Sequence, residues 1–123
     1  MKEIKTMENV RVLIVNTAGE ISFADITCLD DMNSIVDGLI DVVPCGDVDC
    51  FVNDEGLLID LEPNPTAVDI CRAFGGRVNC LVGNVFFTGG VDAEGNTLPI
   101  TREAAAKAAT VAIKSRIQRA VKS

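Results

Sequence analysis

The sequence predicts an α+β fold: a single, antiparallel, β-rich domain with a short helix and a long C-terminal helix. Short β-branched segments are separated by turn residues, with little alternation of strands and helices along the chain. The best helix formers are concentrated after residue 100. The 123 residues have room for one domain, and we expect a ligand-binding domain over residues 1–123 with residues 1–8 as a loose N-terminal lead.

Strand signals dominate the first half of the chain. Residues 10–16 are mostly apolar and β-branched and predict a buried first strand, and residues 21–26 predict its short partner. Residues 30–38 have the apolar spacing of a short helix that ends at a glycine. Further strands are expected at residues 39–43 and 49–53.

Two turn signals surround the second of these strands. The Pro-Cys-Gly-Asp sequence of residues 44–47 predicts the turn that precedes it. The Asn-Asp-Glu-Gly sequence of residues 53–56 is typical of a hairpin, and residues 57–61 are expected to return from it as a strand.

Helix signals increase toward the C-terminus. Residues 67–74 predict a short helix closed by a pair of glycines, residues 77–91 contain at least one strand, and residues 92–96 predict a hairpin tip. Thr101 is the expected N-cap of the longest helix, because an alanine-rich run follows it. This helix is expected to continue to about Val121.

Composition excludes several classes of protein. A net charge of −7 repels phosphate backbones, so we expect no binding to double-stranded nucleic acid. No apolar run approaches the roughly 20 residues that cross a bilayer, so we expect no membrane association. An odd number of cysteines without a signal-peptide pattern favours free thiols in a cytosol; they are Cys28, Cys45, Cys50, Cys71 and Cys80.

Catalytic patterns are missing from the sequence. The chain has no histidine, so neither a Ser-His-Asp nor a Cys-His arrangement can form within it. The carboxylates occur mainly where turns are expected, and the glycine pairs match no phosphate-loop pattern. The cysteine spacing lacks the close pairs of a zinc site. We therefore expect a binding protein that is not an enzyme and has neither cofactor nor metal.

One strand carries the first candidate binding residues. Alternation places Asn84, Phe86 and Thr88 on one face and Val85 and Phe87 on the other. One phenyl ring is expected in the core and the other at a groove, where an exposed ring offers a surface on which adenine stacks. The alternative is that both rings belong to the core.

The last helix carries the candidate cations. Arg116 falls at the edge of an apolar stripe and Arg119 lies one turn further along. Both present forks suited to phosphate oxygens, and pairing with the surplus carboxylates of the chain is the alternative. The stripe consists of Ala109, Ala112, Ile113, Ile117 and Ala120.

Four segments resemble an uncharacterised domain family that is common in phage genomes. They are residues 34–44, residues 52–58, Pro63-Asn64, and residues 83–96, which read Gly-Asn-Val-Phe-Phe-Thr-Gly-Gly-Val-Asp-Ala-Glu-Gly-Asn. The similarity covers roughly residues 10–103.

Within that family the chain resembles the phage Thoeris anti-defence proteins of the first type. The resemblance implies a sponge that holds a cyclic ADP-ribose isomer made by bacterial TIR enzymes, and cyclic oligonucleotides are bound by some members. It also implies a homo-oligomer, with a hexamer as one arrangement, whose interfaces hold the nucleotide.

The same resemblance implies the site residues. Phe86 and Asn96 have the ten-residue spacing of the family's aromatic and asparagine contacts, and Arg116 and Arg119 match its cationic contacts on the last helix. Asn84, on the Phe86 face, and Arg102, at the start of the helix, are further candidates. The family's mid-chain arginine has no counterpart, because Pro-Asn-Pro-Thr stands at residues 63–66.

Two other functions stay open at this point. An acidic inhibitor of a host DNA-binding or defence enzyme would use carboxylates such as Asp47, Asp49 and Asp54 to mimic nucleic acid. An enzyme that cleaves a nucleotide is the second alternative.

Overall fold

The computed structural model describes residues 9–122, which form one five-stranded antiparallel sheet and three helices. The predicted α+β fold with a long C-terminal helix is confirmed. The expected lead at residues 1–8 lies outside the described residues. The elements are β1 (Val10–Val15), β2 (Ile21–Ile26), α1 (Leu29–Val36), β3 (Ile40–Cys45), β4 (Val48–Asn53), α2 (Pro65–Ala73), β5 (Val85–Thr88) and α3 (Arg102–Lys122).

The short strand β5 lies at the centre of the sheet, whose strand order is β2-β1-β5-β4-β3. Helix α1 covers one face of the sheet, where Met32 packs in a core cluster with Phe86. Helices α2 and α3 cover the other face, where Ile70 and Ala108 share a second cluster with Phe87. Consecutive side chains of β5 are therefore buried on both faces.

The prediction of a strand at residues 57–61 is wrong. This segment forms successive turns, in which the amides of Leu58 and Ile59 both donate to the carbonyl of Glu55. The reason is that β4 is already paired along both edges, with β3 on one side and β5 on the other, so no edge remains for a returning strand.

The turn predicted at residues 44–47 begins two residues later than expected. Pro44 and Cys45 are the last residues of β3, where they pair with Asp49 and Val48. An edge strand tolerates proline because one of its sides needs no amide donor.

Two buried asparagines connect the helices to the sheet. The Asn64 side chain is fully buried; its amide nitrogen donates to the carbonyls of Val15 (3.1 Å) and Gly83 (2.9 Å), and its oxygen caps α2 by accepting from the amide of Ala67 (3.1 Å). Asn53 similarly donates to the Val36 carbonyl at the end of α1 (3.1 Å). Asn64 thus joins β1, the chain before β5, and α2.

Among the described residues, no helix is both long enough and apolar enough to cross a membrane.

Replacing Asn64 tests how much of the stability this junction supplies. Asn64→Ala leaves two buried carbonyls and one helix amide without partners, and each such group costs about 1–3 kcal/mol. We expect urea unfolding to show a loss of about 3 kcal/mol or more. The exposed Asn79 is the control, and Asn79→Ala should change stability by about 0.5 kcal/mol or less. Equal losses in the two variants would contradict the role assigned to Asn64.

Candidate functional site

A hydrogen-bonded cluster joins the C-terminal half of α3 to the start of α2. The Arg119 guanidinium donates to the hydroxyls of Ser115 (2.6 Å) and Thr66 (2.7 Å). Ser115 in turn donates to the Asp69 carboxylate at 2.6 Å. Thr66 is fully buried and Ser115 nearly so, so the hydroxyls hold Arg119 in one orientation.

The β1–β2 turn closes against this cluster. Gly19 has φ +81, and a Cβ atom there would lie 2.7 Å from Thr66 Oγ1, 2.8 Å from Arg119 Nη2 and 3.0 Å from Arg116 Cγ. Both arginines therefore converge on one glycine. We call Gly19, Thr66, Ser115, Arg116 and Arg119 the arginine corner.

The arginine corner concentrates positive charge in an acidic protein. Thr66 lies in the first turn of α2, so the guanidinium of Arg119 adds to the partial positive charge of that helix end. Within residues 9–122, neither Arg119 nor Arg116 has a carboxylate oxygen within 4.0 Å, and Asp69 reaches Arg119 only through Ser115. This arrangement suits an anion, which forks of this kind bind through paired hydrogen bonds.

Asn84 lies at the same end of the sheet as the arginine corner. It follows Gly83, whose carbonyl accepts from the α2 cap Asn64. Asn84 lines an open cavity of about 190 Å³ that also contains two carboxylates, so this cavity is less suited to phosphate than the arginine corner. The cavity is lined by Thr17, Val36, Asp37, Leu61, Glu62, Gly83 and Asn84.

The expectation that the Phe86 ring is exposed at a groove is wrong. Phe86 and Phe87 are both fully buried, and the Phe86 ring stacks on Phe51 with centroids 4.7 Å apart. The reason is that β5 is the central strand and both of its faces are covered. A base cannot reach Phe86 within one protomer.

Phe23 is the exposed aromatic residue that the sequence reasoning missed. It is 47% exposed on the edge strand β2, directly opposite Leu13. Residues paired across two strands point to the same face of the sheet, and Leu13 belongs to the core under α2 and α3. Phe23 therefore lies on the face that α2 and α3 cover, four residues after Gly19. The polar residues Ser22 and Asp25 in the same segment indicate an exposed strand, and this was the available signal.

Asn96 and Arg102 lie at the opposite end of the sheet. Asn96 is in the hairpin after β5, where its backbone and side-chain nitrogens donate to Asp92; these hydrogen bonds lower the pKa of the Asp92 carboxyl. Arg102 begins α3 just after Ile100, whose amide donates to Arg11 at the start of β1. The two ends of the sheet are about 13 Å apart along the four residues of β5 alone.

The buried cysteines offer no activated nucleophile. All five are free thiols, and Cys45, Cys50 and Cys71 are buried together. A hydrogen bond with Cys71 and burial raise the pKa of Cys45 far above its ordinary value. The hydrogen bond with Cys45 lowers the pKa of Cys71, but the hydrogen bond with Cys50 and burial outweigh it and raise that pKa as well. Such thiols stay protonated and unreactive.

No metal-binding cluster of three or more cysteine or carboxylate side chains is found in the part of the chain that the structure describes. Ser115 is equally unsuited to attack a substrate, because it is almost fully buried between Asp69 and Arg119. The arrangement at the arginine corner can hold an anion, and it has no group placed for bond cleavage.

Comparison with known proteins gives one family. A family model described as "Domain of unknown function (DUF3846)" matches residues 10–112, which is most of the chain. No curated protein and no solved structure gives a match.

Two glycines with the same backbone conformation test the close packing at the arginine corner. Gly19→Ala adds a methyl group against Thr66 and Arg119, whereas Gly95, with φ +82, has no atom within 4 Å of the added methyl. In both variants an alanine must adopt the left-handed conformation, which lowers the free energy of unfolding by about 1 kcal/mol. Gly19→Ala should lower it by about 1–2 kcal/mol more, as measured by urea unfolding. Equal losses would show that the corner is not packed as described.

Proposed function

The chain belongs to the DUF3846 domain family, and we propose that it is a phage anti-defence sponge that binds a cyclic ADP-ribose isomer without cleaving it. In this proposal the protein acts in the cytosol of the host bacterium against the Thoeris immune signal, and cyclic oligonucleotides are a second ligand class. Residues 34–44, 52–58, Pro63-Asn64 and 83–96 resemble an uncharacterised phage domain family, and the resemblance of the chain, within that family, to the Thoeris anti-defence proteins of the first type supports the proposal.

The arginine corner is the observation that carries the proposal. A cyclic ADP-ribose isomer has two phosphate charges, which a protein of net charge −7 repels unless cations are placed locally. Arg119 is held in position by Thr66 and Ser115, and the exposed Arg116 side chain lies beside it. We assign both phosphates of the ligand to these two guanidiniums.

Storage without turnover fits the chemistry of the chain. A sponge needs tight binding and gains nothing from an acid–base pair. The chain has no histidine, and the buried thiols of Cys45 and Cys71 have raised pKa values. These features support binding and give no support to hydrolysis.

The remaining contacts require a second copy of the chain. In one protomer Asn96 lies at the end of the sheet opposite to Arg116 and Arg119, so a single small ligand cannot touch all three. We propose a homo-oligomer in which Asn96 of one copy faces the arginine corner of another. Phe23 replaces Phe86 as the ring on which the base stacks, because Phe23 is exposed on the face of the sheet that α2 and α3 cover.

Alanine variants test the assigned contacts by titration calorimetry with a cyclic ADP-ribose isomer. Removing a charged hydrogen bond costs about 1.5–3 kcal/mol, so Arg116→Ala and Arg119→Ala should each weaken binding about tenfold or more. Phe23→Ala should weaken binding by a similar factor through lost stacking, about 1–3 kcal/mol. The exposed Arg77 provides the matched control, and Arg77→Ala should bind like the parent. Parent-like binding by both Arg116 and Arg119 variants would refute the site.

Recovery of the ligand tests the function itself. The protein is incubated with the cyclic ADP-ribose isomer, separated from free nucleotide, and heat-denatured, and the released material is identified by mass spectrometry. We expect intact nucleotide. Recovery of a cleaved product would identify an enzyme, and failure to capture any nucleotide would favour the acidic inhibitor; either result would refute the sponge.

A further inference from the structure

The C-terminal half of α3 has an apolar surface that none of the described residues of its own protomer covers. Ile113, Ile117 and Val121 are spaced four residues apart and therefore lie along one side of the helix. They are 58%, 57% and 79% exposed. Ala112, which the sequence pattern placed in the same stripe, is buried and belongs to the core instead. We call Ile113, Ile117 and Val121 the α3 stripe.

A second uncovered apolar surface lies between β4 and α2. Leu57, Leu58 and Ile59 are 72%, 82% and 54% exposed, although their backbone is held in successive hydrogen-bonded turns. The amide of Leu61 closes the segment by donating to Gly56 at 3.0 Å. We call residues 54–62 the acidic loop, because its four charged residues are carboxylates: Asp54, Glu55, Asp60 and Glu62.

The charges around the two surfaces are opposite in sign. Residues 104–122 of α3 contain five cations and no carboxylate: Lys107, Lys114, Arg116, Arg119 and Lys122. Pairing two α3 stripes would therefore bring like charges together, and so would pairing two acidic loops. Each surface has three apolar side chains, and each is flanked by the charge that the other lacks.

We propose that the α3 stripe of one copy of this chain docks on the acidic loop of a second copy. The proposed function requires an oligomer, and this inference assigns the surfaces of one of its interfaces, in addition to the contact of Asn96 with another arginine corner. β1 and β4 are both antiparallel to β5, so their C-terminal ends lie at the same end of the sheet. The acidic loop follows β4, and the end of α3 meets the turn after β1 at Gly19.

Because both surfaces lie at that end, a two-fold axis lets two copies exchange both contacts. Each copy then supplies one α3 stripe and one acidic loop. The contact covers six apolar side chains per loop–helix pair and places the arginine corners of both copies beside the interface.

Sedimentation of the protein without nucleotide tests the apolar part of the contact. The parent should form an oligomer at micromolar concentration. Ile117→Ser and Leu58→Ser, both at exposed positions, should each weaken self-association about tenfold or more while the circular dichroism spectrum stays that of the parent. Val42→Ser is the matched control, because Val42 is 41% exposed on the edge strand β3 and belongs to neither surface.

A charge swap tests the pairing of the two surfaces. Lys114→Glu and Glu55→Lys should each weaken self-association, and the double variant should recover most of the parental value. Asp30→Lys, on α1 at the face of the sheet opposite to α3, should leave it unchanged. A parent that sediments near 13.1 kDa, serine variants that associate like the parent, or a double variant no better than the singles would overturn the inference.

The two proposals fail separately. An oligomer assembled through these surfaces that captures no cyclic ADP-ribose isomer would refute the sponge alone. A monomer that captures it would refute the docking surface and the contact supplied by a second copy, and would leave the sponge function standing.

Discussion

The side-chain amide of Asn64 fixes the geometry of the end of the molecule where binding is proposed. It joins the last carbonyl of β1 to the chain before β5 and caps α2 at the same time. The start of α2 places Thr66, which holds Arg119, and the end of β1 places the turn that contains Gly19. The arginine corner therefore depends on one buried amide that contacts neither arginine directly.

The features that depend on local sequence were predicted well. Residues 21–26 form the predicted partner strand β2, and Thr101 caps α3 by accepting a hydrogen bond from the amide of Ala104. The errors concern long-range packing. Phe86 is buried because α1 covers the second face of β5, and residues 57–61 form turns because β5, more than twenty residues later, occupies the free edge of β4.

The candidate site was predicted in part for the same reason. Arg116 and Arg119 were found from their position on a helix, which is a local property. Thr66, which accepts from Arg119, and Asp69, which accepts from Ser115, were missed, since each lies about fifty residues from its partner and carries no motif of its own. The separation of charge along the chain links the site to assembly. The C-terminal half of α3 is cationic within an otherwise acidic chain. Its cations supply the arginine corner on one side of the helix and flank the α3 stripe on another.

The central claim is that the nucleotide binds at the arginine corner, and an NMR titration of ¹⁵N-labelled protein with a cyclic ADP-ribose isomer tests it most directly. The account predicts that the backbone amides of Gly19 and Thr66 and the Arg119 side-chain Nε signal shift together and saturate at one affinity. A saturating titration that leaves these three signals unmoved would contradict the claim.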